Sequence, residues 1–295
     1  MSFKDIIIGT ANMGDKKYGY NDKKVKNPTQ LIKKIITKKF RYFDTAYSYK
    51  SEKNFLNIKN KKIKIFTKTI QIDNELKNLQ KDILMNKLNS AISDSIKKLG
   101  NRLYCIYIHR VEDLFTKNKI ILKILIRKKQ ENKIKKIGIS LNNFSKLKKI
   151  LSIPHIEYIQ LPVNIFDYRW QKIFKYKKLI KQKKFVARSI FLQGIIFKPK
   201  KLWPKNIKKY YKKVNIALNK IQNKFPNKTL DEICFAYVNS LRKFDKIIFG
   251  VSDISNIDKI SRYSKKKMKS YEISYIQKIT RIIPKEFFMI NKWKY

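Results

Sequence analysis

Short apolar runs rich in Ile, Val and Tyr alternate along this chain with longer segments whose apolar positions recur every three or four residues. The first pattern is that of buried strands and the second that of amphipathic helices. Eight such pairs follow one another. Strands are predicted at 6–10, 42–46, 64–68, 103–108, 136–141, 158–162, 185–189 and 247–251. Their helices are predicted at 28–39, 52–58, 83–99, 119–132, 145–151, 170–182, 230–241 and 256–263, with one more near the C-terminus. Pro28 suits a first helical turn and Gly100 a helix end. A longer excursion, 194–228, separates the seventh strand from its helix.

Strict alternation of this kind means an α/β fold with a parallel sheet, and eight units is the number that closes into a (β/α)8 TIM barrel. An open doubly wound sheet is the alternative. The first strand, however, runs into Gly9-Thr10-Ala11-Asn12-Met13-Gly14, without the G-x-G-x-x-G turn of that fold. No Pro/Gly/Ser-rich linker divides the chain, so residues 1–295 read as a single domain with a C-terminal helix and tail from about 270.

Composition changes this picture little. No apolar run approaches eighteen residues and no apolar signal core follows Met1-Ser2-Phe3-Lys4-Asp5, so the expectation is a cytoplasmic chain without a membrane partner. Cys105 and Cys234 lie in apolar segments without metal-ligand spacing and read as buried thiols; no metal site is expected. The formal net charge of +50 is a field that would attract nucleic acid or an anionic membrane. Yet only nine of the 71 basic residues are Arg, the side chain that grips phosphate bidentately. The lysines are spread over nearly every helix and loop, in a sequence also rich in Ile, Asn, Tyr and Phe, which is the imprint of AT-rich codons. A polyanion-binding surface stays as a minor alternative; no specific nucleic-acid partner is expected.

In a barrel of this kind, functional residues collect at the C-terminal ends of the strands. The second strand ends in Asp44, with Tyr49 just beyond it, the third in Lys68 and the fourth in His109. The fifth offers Ser140, the sixth Gln160 and Asn164, and the seventh Arg188 and Ser189. Each has an ordinary reading alone: a helix cap, a solvated lysine, a satisfied core histidine. Their conjunction at one rim is the informative feature. The other histidine, His155, precedes a strand beside Pro154 and reads as structural.

The order and spacing of these motifs resemble the aldo-keto reductases, in particular a bacterial branch. The resemblance rests on Gly9-Thr10-Ala11 with Tyr18-Gly19, Asp44-Thr45-Ala46 with Tyr49 and Ser51-Glu52, Thr67-Lys68, His109-Arg110 and Ile137-Gly138-Ile139-Ser140. It continues through Gln160-Leu161-Pro162-Val163-Asn164-Ile165-Phe166-Asp167 and Ala187-Arg188-Ser189-Ile190-Phe191-Leu192-Gln193-Gly194.

The resemblance implies a catalytic tetrad of Asp44, Tyr49, Lys68 and His109, with Tyr49 the proton donor in NAD(P)H-dependent reduction of an aldehyde or ketone. The chemistry agrees: a phenol holds its proton at neutral pH, and a neighbouring ammonium, oriented by a carboxylate, eases its release. It further implies that Ser140 and Gln160 hold the nicotinamide carboxamide. Arg188, Ser189, Phe191 and Gln193 would run past the nicotinamide and pyrophosphate, and Gly250, Ser252 and Asn256 would meet the adenosine end. NADP is the family's habit, with NAD open beside it, because Gly250 and Asn256 stand where NADP-preferring members often carry basic residues; Lys259 or Arg262 would have to compensate. Other departures are Lys50 in place of Gly, Val111 in place of Pro, Leu141 in place of an amide-binding Asn, and Arg188 in place of a stacking Tyr. A barrel that binds nucleotide without turnover, as a sensor or partner subunit, is the alternative function. The partner is a small carbonyl compound whose identity the sequence does not name; Tyr20, Tyr47, Trp170 and Trp293 are candidate pocket aromatics, Trp170 equally a core residue. A monomer or weak oligomer is expected.

Overall fold

The computed structural model describes residues 5–15, 19 and 25–294, apart from the side chain of residue 291. Its eight parallel strands are β1 (Ile6–Gly9), β2 (Tyr42–Asp44), β3 (Lys64–Lys68), β4 (Leu103–Ile108), β5 (Lys136–Ser140), β6 (Tyr158–Pro162), β7 (Lys184–Arg188) and β8 (Lys246–Gly250). Each pairs with its neighbour in sequence, and β1 pairs with both β2 and β8, which closes the barrel. The open-sheet alternative is thereby excluded.

The helices, in chain order, are α1 (Pro28–Thr37), α2 (Asn74–Asn78), α3 (Lys81–Leu99), α4 (Val111–Phe115), α5 (Ile120–Gln130), α6 (Leu147–Leu151), α7 (Lys177–Ile180), α8 (Tyr211–Lys224), α9 (Leu230–Ser240), α10 (Ser255–Tyr263), α11 (Ser270–Thr280) and α12 (Lys285–Phe288). None among the described residues is long and apolar enough to cross a membrane. Pro28 does open α1, where a missing N–H costs nothing, and Asn27 accepts a hydrogen bond from the Gln30 amide to cap it.

Two predicted helices differ. The segment after β6 is a 3-10 stretch, Arg169–Lys175, followed by the short α7. Trp170 and Ile173, three residues apart, are both buried, and a three-residue turn stacks such a pair on one face. The segment after β2 is likewise 3-10, Glu52–Phe55. The excursion before α9 contains α8, whose buried Val214, Ala217, Leu218 and Ile221 keep helical spacing.

Strand parity divides the core in two. Ile7, Phe66, Cys105, Tyr107, Tyr158, Val186 and Ile248 form a cluster of their own, alternating along the strands with residues that pack against the helices. They fill the barrel lumen. Gly138 is part of that arrangement: a Cβ there would lie 2.4 Å from the Tyr107 ring, so the glycine makes room for it. Cys105 and Cys234 are both buried free thiols.

Candidate active site

The same parity that fills the lumen aims the rim residues inward. Asp44 lies two residues beyond Tyr42, Lys68 two beyond Phe66, His109 two beyond Tyr107, Gln160 two beyond Tyr158 and Arg188 two beyond Val186. Residues two apart on a strand share a face, so all five extend from the lumen face at the C-terminal end.

Asp44 is the hub. Its Oδ2 accepts from Lys68 Nζ at 2.6 Å and its Oδ1 from Gln160 Nε2 at 2.8 Å. Lys68 Nζ also donates to the Thr45 carbonyl at 2.8 Å and lies 5.0 Å from the centre of the Tyr49 ring. Burial pushes the Lys68 amine below its ordinary pKa, and the Asp44 carboxylate counters that push. Lys68 is almost wholly covered, whereas Tyr49 is half-buried and lines a cavity.

His109 stands edge-on to Tyr49, ring centres 6.2 Å apart. Its Nδ1 lies 3.3 Å from the Thr69 carbonyl, which can only accept, so Nδ1 carries the hydrogen and Nε2 keeps its lone pair. The Gln71 side-chain amide reaches Nε2 at 3.2 Å. Burial above all, then the positive charge of Lys68, pushes the His109 pKa down to about 3. The ring is neutral at physiological pH.

The loop that carries Tyr49 is pinned from three sides. Ser51 Oγ shares hydrogen bonds with Thr45 Oγ1 at 2.7 Å and Thr10 Oγ1 at 3.1 Å. Glu52, buried beneath it, accepts from Thr67 Oγ1 at 2.5 Å and Ser95 Oγ at 3.0 Å; burial raises its pKa, and those two hydrogen bonds oppose the rise. Gly14 presses on the loop from above, where a Cβ would sit 1.7 Å from the Tyr49 carbonyl oxygen. Lys50 closes the turn in the left-handed region, at φ 59°, which explains why a glycine suits that position.

The cavity beside Tyr49 has a volume of about 610 Å³ and runs from Asp44 and Gln160, past the segment after β7, to the loop after β8 and the starts of α9 and α10. Of the predicted cofactor residues, Gln160, Arg188, Ser189, Phe191, Gln193, Gly250, Ser252 and Asn256 all line it. Ser140 does not reach its wall, although it is buried and pairs in register with Gln160. Asn164 is engaged within the protein, its Oδ1 accepting from the Phe166 and Asp167 amides and its Nδ2 donating to the Ser189 carbonyl at 3.4 Å.

The pocket aromatics come out differently from expectation. Trp170 packs edge-on against Phe174 and Phe244 in the core, and buried Trp293 donates to the Phe287 carbonyl. The Tyr47 ring lies under Lys50 Nζ at 4.7 Å and is no part of the cavity wall. Phe191, Phe197 and Phe249 line it instead. Tyr18 and Tyr20 lie outside the described residues. His155 is exposed on the loop before β6.

Two buried polar atoms on cavity-lining residues have no hydrogen-bond partner among the described residues: Gln160 Oε1 and Arg188 Nε. The Gln160 orientation is fixed, because its amide nitrogen faces the Asp44 carboxylate. That leaves a carbonyl oxygen for an incoming amide N–H. Arg188 is held by the Leu141 carbonyl at 3.2 Å, by Ser189 Oγ at 3.1 Å and by Asn142 Oδ1. Asn142, one residue past Leu141, was not singled out from the sequence. Nor were Asp231 and the Gly14 contact, both of which join segments far apart in the chain.

A family model, the aldo/keto reductase family, matches residues 5–281. Among solved structures, an aldo-keto reductase of Bacillus halodurans in its holo form is similar over 96% of this chain and 95% of its own, at 16% identity and a TM-score of 0.73. A glycerol dehydrogenase of Gluconobacter oxydans is similar over 95% of both chains, at 17% identity and a TM-score of 0.71. An aldo-keto reductase from a deep-sea metagenome library is similar over 95% of this chain and 92% of its own, at 16% identity and a TM-score of 0.65. At such identities these likenesses concern the fold. Among curated protein sequences, none matches this chain.

Proposed function

This chain belongs to the aldo/keto reductase family, oxidoreductases that act on carbonyl and alcohol groups, and from that premise we propose that it reduces an aldehyde or ketone with a nicotinamide dinucleotide, Tyr49 giving the proton. The observation that carries the reading is the buried Asp44–Lys68 pair set against Tyr49 at the cavity wall. The donor set also fits the cofactor. Gln160 Oε1 offers the acceptor that a carboxamide N–H needs, Arg188 a planar cation beside it, and Ser252 and Asn256 the polar far end. NADP is the form the family resemblance implies, with NAD open beside it.

When bound, the nicotinamide supplies the hydride that no side chain can. The protein's own share is proton delivery and positioning. Tyr49 faces the cavity with Lys68 Nζ near its ring, and an ammonium beside a phenol favours the phenolate left when the proton departs. Asp44 holds that ammonium charged and in place. Neutral His109 stands edge-on to Tyr49, its Nε2 lone pair within reach of the Gln71 amide, and suits the hydroxyl of the alcohol side of the reaction when that amide gives way. The apolar surfaces of Phe191, Phe197 and Phe249 help exclude water from the cavity.

The test is turnover. Purified protein is mixed with NADH or NADPH and a panel of aldehydes and ketones, and the nicotinamide absorbance is followed. Oxidation of the cofactor that depends on the carbonyl supports the reading. Tight cofactor binding with no turnover across the panel would favour a sensor or partner subunit instead.

A further inference from the structure

At the end of the cavity far from Tyr49 in the fold's layout, two charged residues meet that sequence reading did not connect. Asp231 stands in the first turn of α9, Lys259 on α10, and Lys259 Nζ donates to Asp231 Oδ2 at 2.9 Å. The same carboxylate oxygen accepts from Tyr263 Oη at 2.9 Å. Both Asp231 and Lys259 line the cavity. Burial alone would raise the Asp231 pKa, but hydrogen bonds from Thr229, Lys259 and Tyr263 outweigh it and hold the group below the ordinary carboxylate range. Asp231 is therefore a fixed anion, and the Lys259 charge is already committed to it.

Arg262, three residues beyond Lys259 on α10, is exposed and is not part of the cavity wall, so it supplies no cation there. Gly250 has no side chain to offer. Asn256 Oδ1 accepts from the Ser252 amide at 3.0 Å and the Asp253 amide at 3.1 Å, so it shapes the loop after β8. Arg188, the last residue of β7, and Lys198, on the segment after it, also line the cavity; the family resemblance sets the stretch from Arg188 to Gln193 against the nicotinamide and pyrophosphate, which both forms of the cofactor share.

NAD and NADP differ only at the adenosine ribose, which carries a hydroxyl in one and a dianionic phosphate in the other. A hydroxyl donates well to a carboxylate, the means by which many dinucleotide sites read that ribose. A phosphate calls for Arg or Lys and is repelled by a carboxylate. We infer that this chain takes NAD in preference to NADP, with Asp231 as the selecting residue: it accepts from the ribose 2′-hydroxyl and turns away the 2′-phosphate. The inference rests on the nicotinamide reading of the cavity proposed above, and it replaces the NADP that family habit suggests.

Equilibrium binding tests it, independently of turnover. NADH and NADPH are titrated separately into the purified full chain at matched ionic strength, by calorimetry or tryptophan fluorescence. NADH is expected to bind about tenfold tighter or more, since like charges face one another in the NADPH complex. Asp231→Asn removes the anion and releases Lys259, so NADPH affinity rises and the ratio shifts by about tenfold toward NADPH. NADPH binding as tightly as NADH to the unchanged protein would overturn the inference, as would an unchanged ratio in Asp231→Asn. The first comparison needs no variant and stands even if Asp231→Asn fails to fold. If neither nucleotide binds, the cofactor reading itself fails, an outcome distinct from the loss of selectivity alone.

Discussion

Lys68 Nζ and Asp44 Oδ2 sit 2.6 Å apart in a pair whose side chains are 2% and 7% exposed. Such a pair gains little over an apolar core when intact, but losing one partner strands the other charge. Asp44→Asn leaves Lys68 buried with neutral oxygens alone, the Thr45 carbonyl and the new amide, and burial then acts on its amine without a countercharge from residue 44. The expected result is a loss of about 3–5 kcal/mol in urea unfolding, together with a fall in kcat of about 10² or more as the proton donor loses its neighbour. Unfolding at the original urea midpoint would show that the pair does not carry charge.

His109 gives the protein an acid-sensitive window. Its pKa in the fold is pushed down to about 3 from 6.5, so between those values the unfolded chain binds a proton that the native ring refuses. Stability at this site is complete above pH 6.5 and is lost as pH falls toward 3, with a slope of about 1.4 kcal/mol per pH unit. His109→Gln removes the titrating ring. Urea unfolding followed from pH 7 to about 4 should therefore fall less steeply in the variant than in the parent; parallel curves would contradict the burial argument.

Gly14 and Tyr49 test how tightly the acid is placed. A Cβ at residue 14 would lie 1.7 Å from the Tyr49 carbonyl oxygen, so Gly14→Ala forces the loop to shift. A displacement near 1 Å at a reacting group costs about 10²-fold in rate. The measurement is kcat beside cofactor affinity: kcat is expected to drop on that scale while the dissociation constant moves little. Equal loss of both would mean a wider rearrangement.

Lys50 holds a left-handed conformation at φ 59°. A side chain pays roughly 1 kcal/mol there, and the contact of its Nζ with the Tyr47 ring returns only part of that. Lys50→Gly should raise the urea midpoint by an amount worth about 0.5–1 kcal/mol at unchanged slope. A lowered midpoint would mean the lysine contributes more than its backbone costs.

Much of this was legible in the sequence because strand parity is a local property. Once Tyr42, Phe66, Tyr107 and Tyr158 are assigned to strands, their partners two residues on, Asp44, Lys68, His109 and Gln160, must share a face. The closed barrel followed from counting units. What the sequence hid depends on segments distant in the chain meeting at the rim: Gly14 on Tyr49, Asn142 on Arg188, Asp231 on Lys259. No periodicity reports such contacts. The segment after β6 departs from the predicted helix for a related reason: Trp170 and Ile173 fit a helix and a 3-10 turn alike, and burial against Phe244 belongs to tertiary packing.

The central claim is that Tyr49 delivers the proton. Tyr49→Phe keeps the ring and its place beside Lys68 and His109 but removes the hydroxyl. Measured on any aldehyde that the parent protein reduces, kcat is expected to fall by about 10² to 10⁴, with the cofactor dissociation constant unchanged within about twofold. Turnover at the parent rate in Tyr49→Phe would contradict the assignment outright.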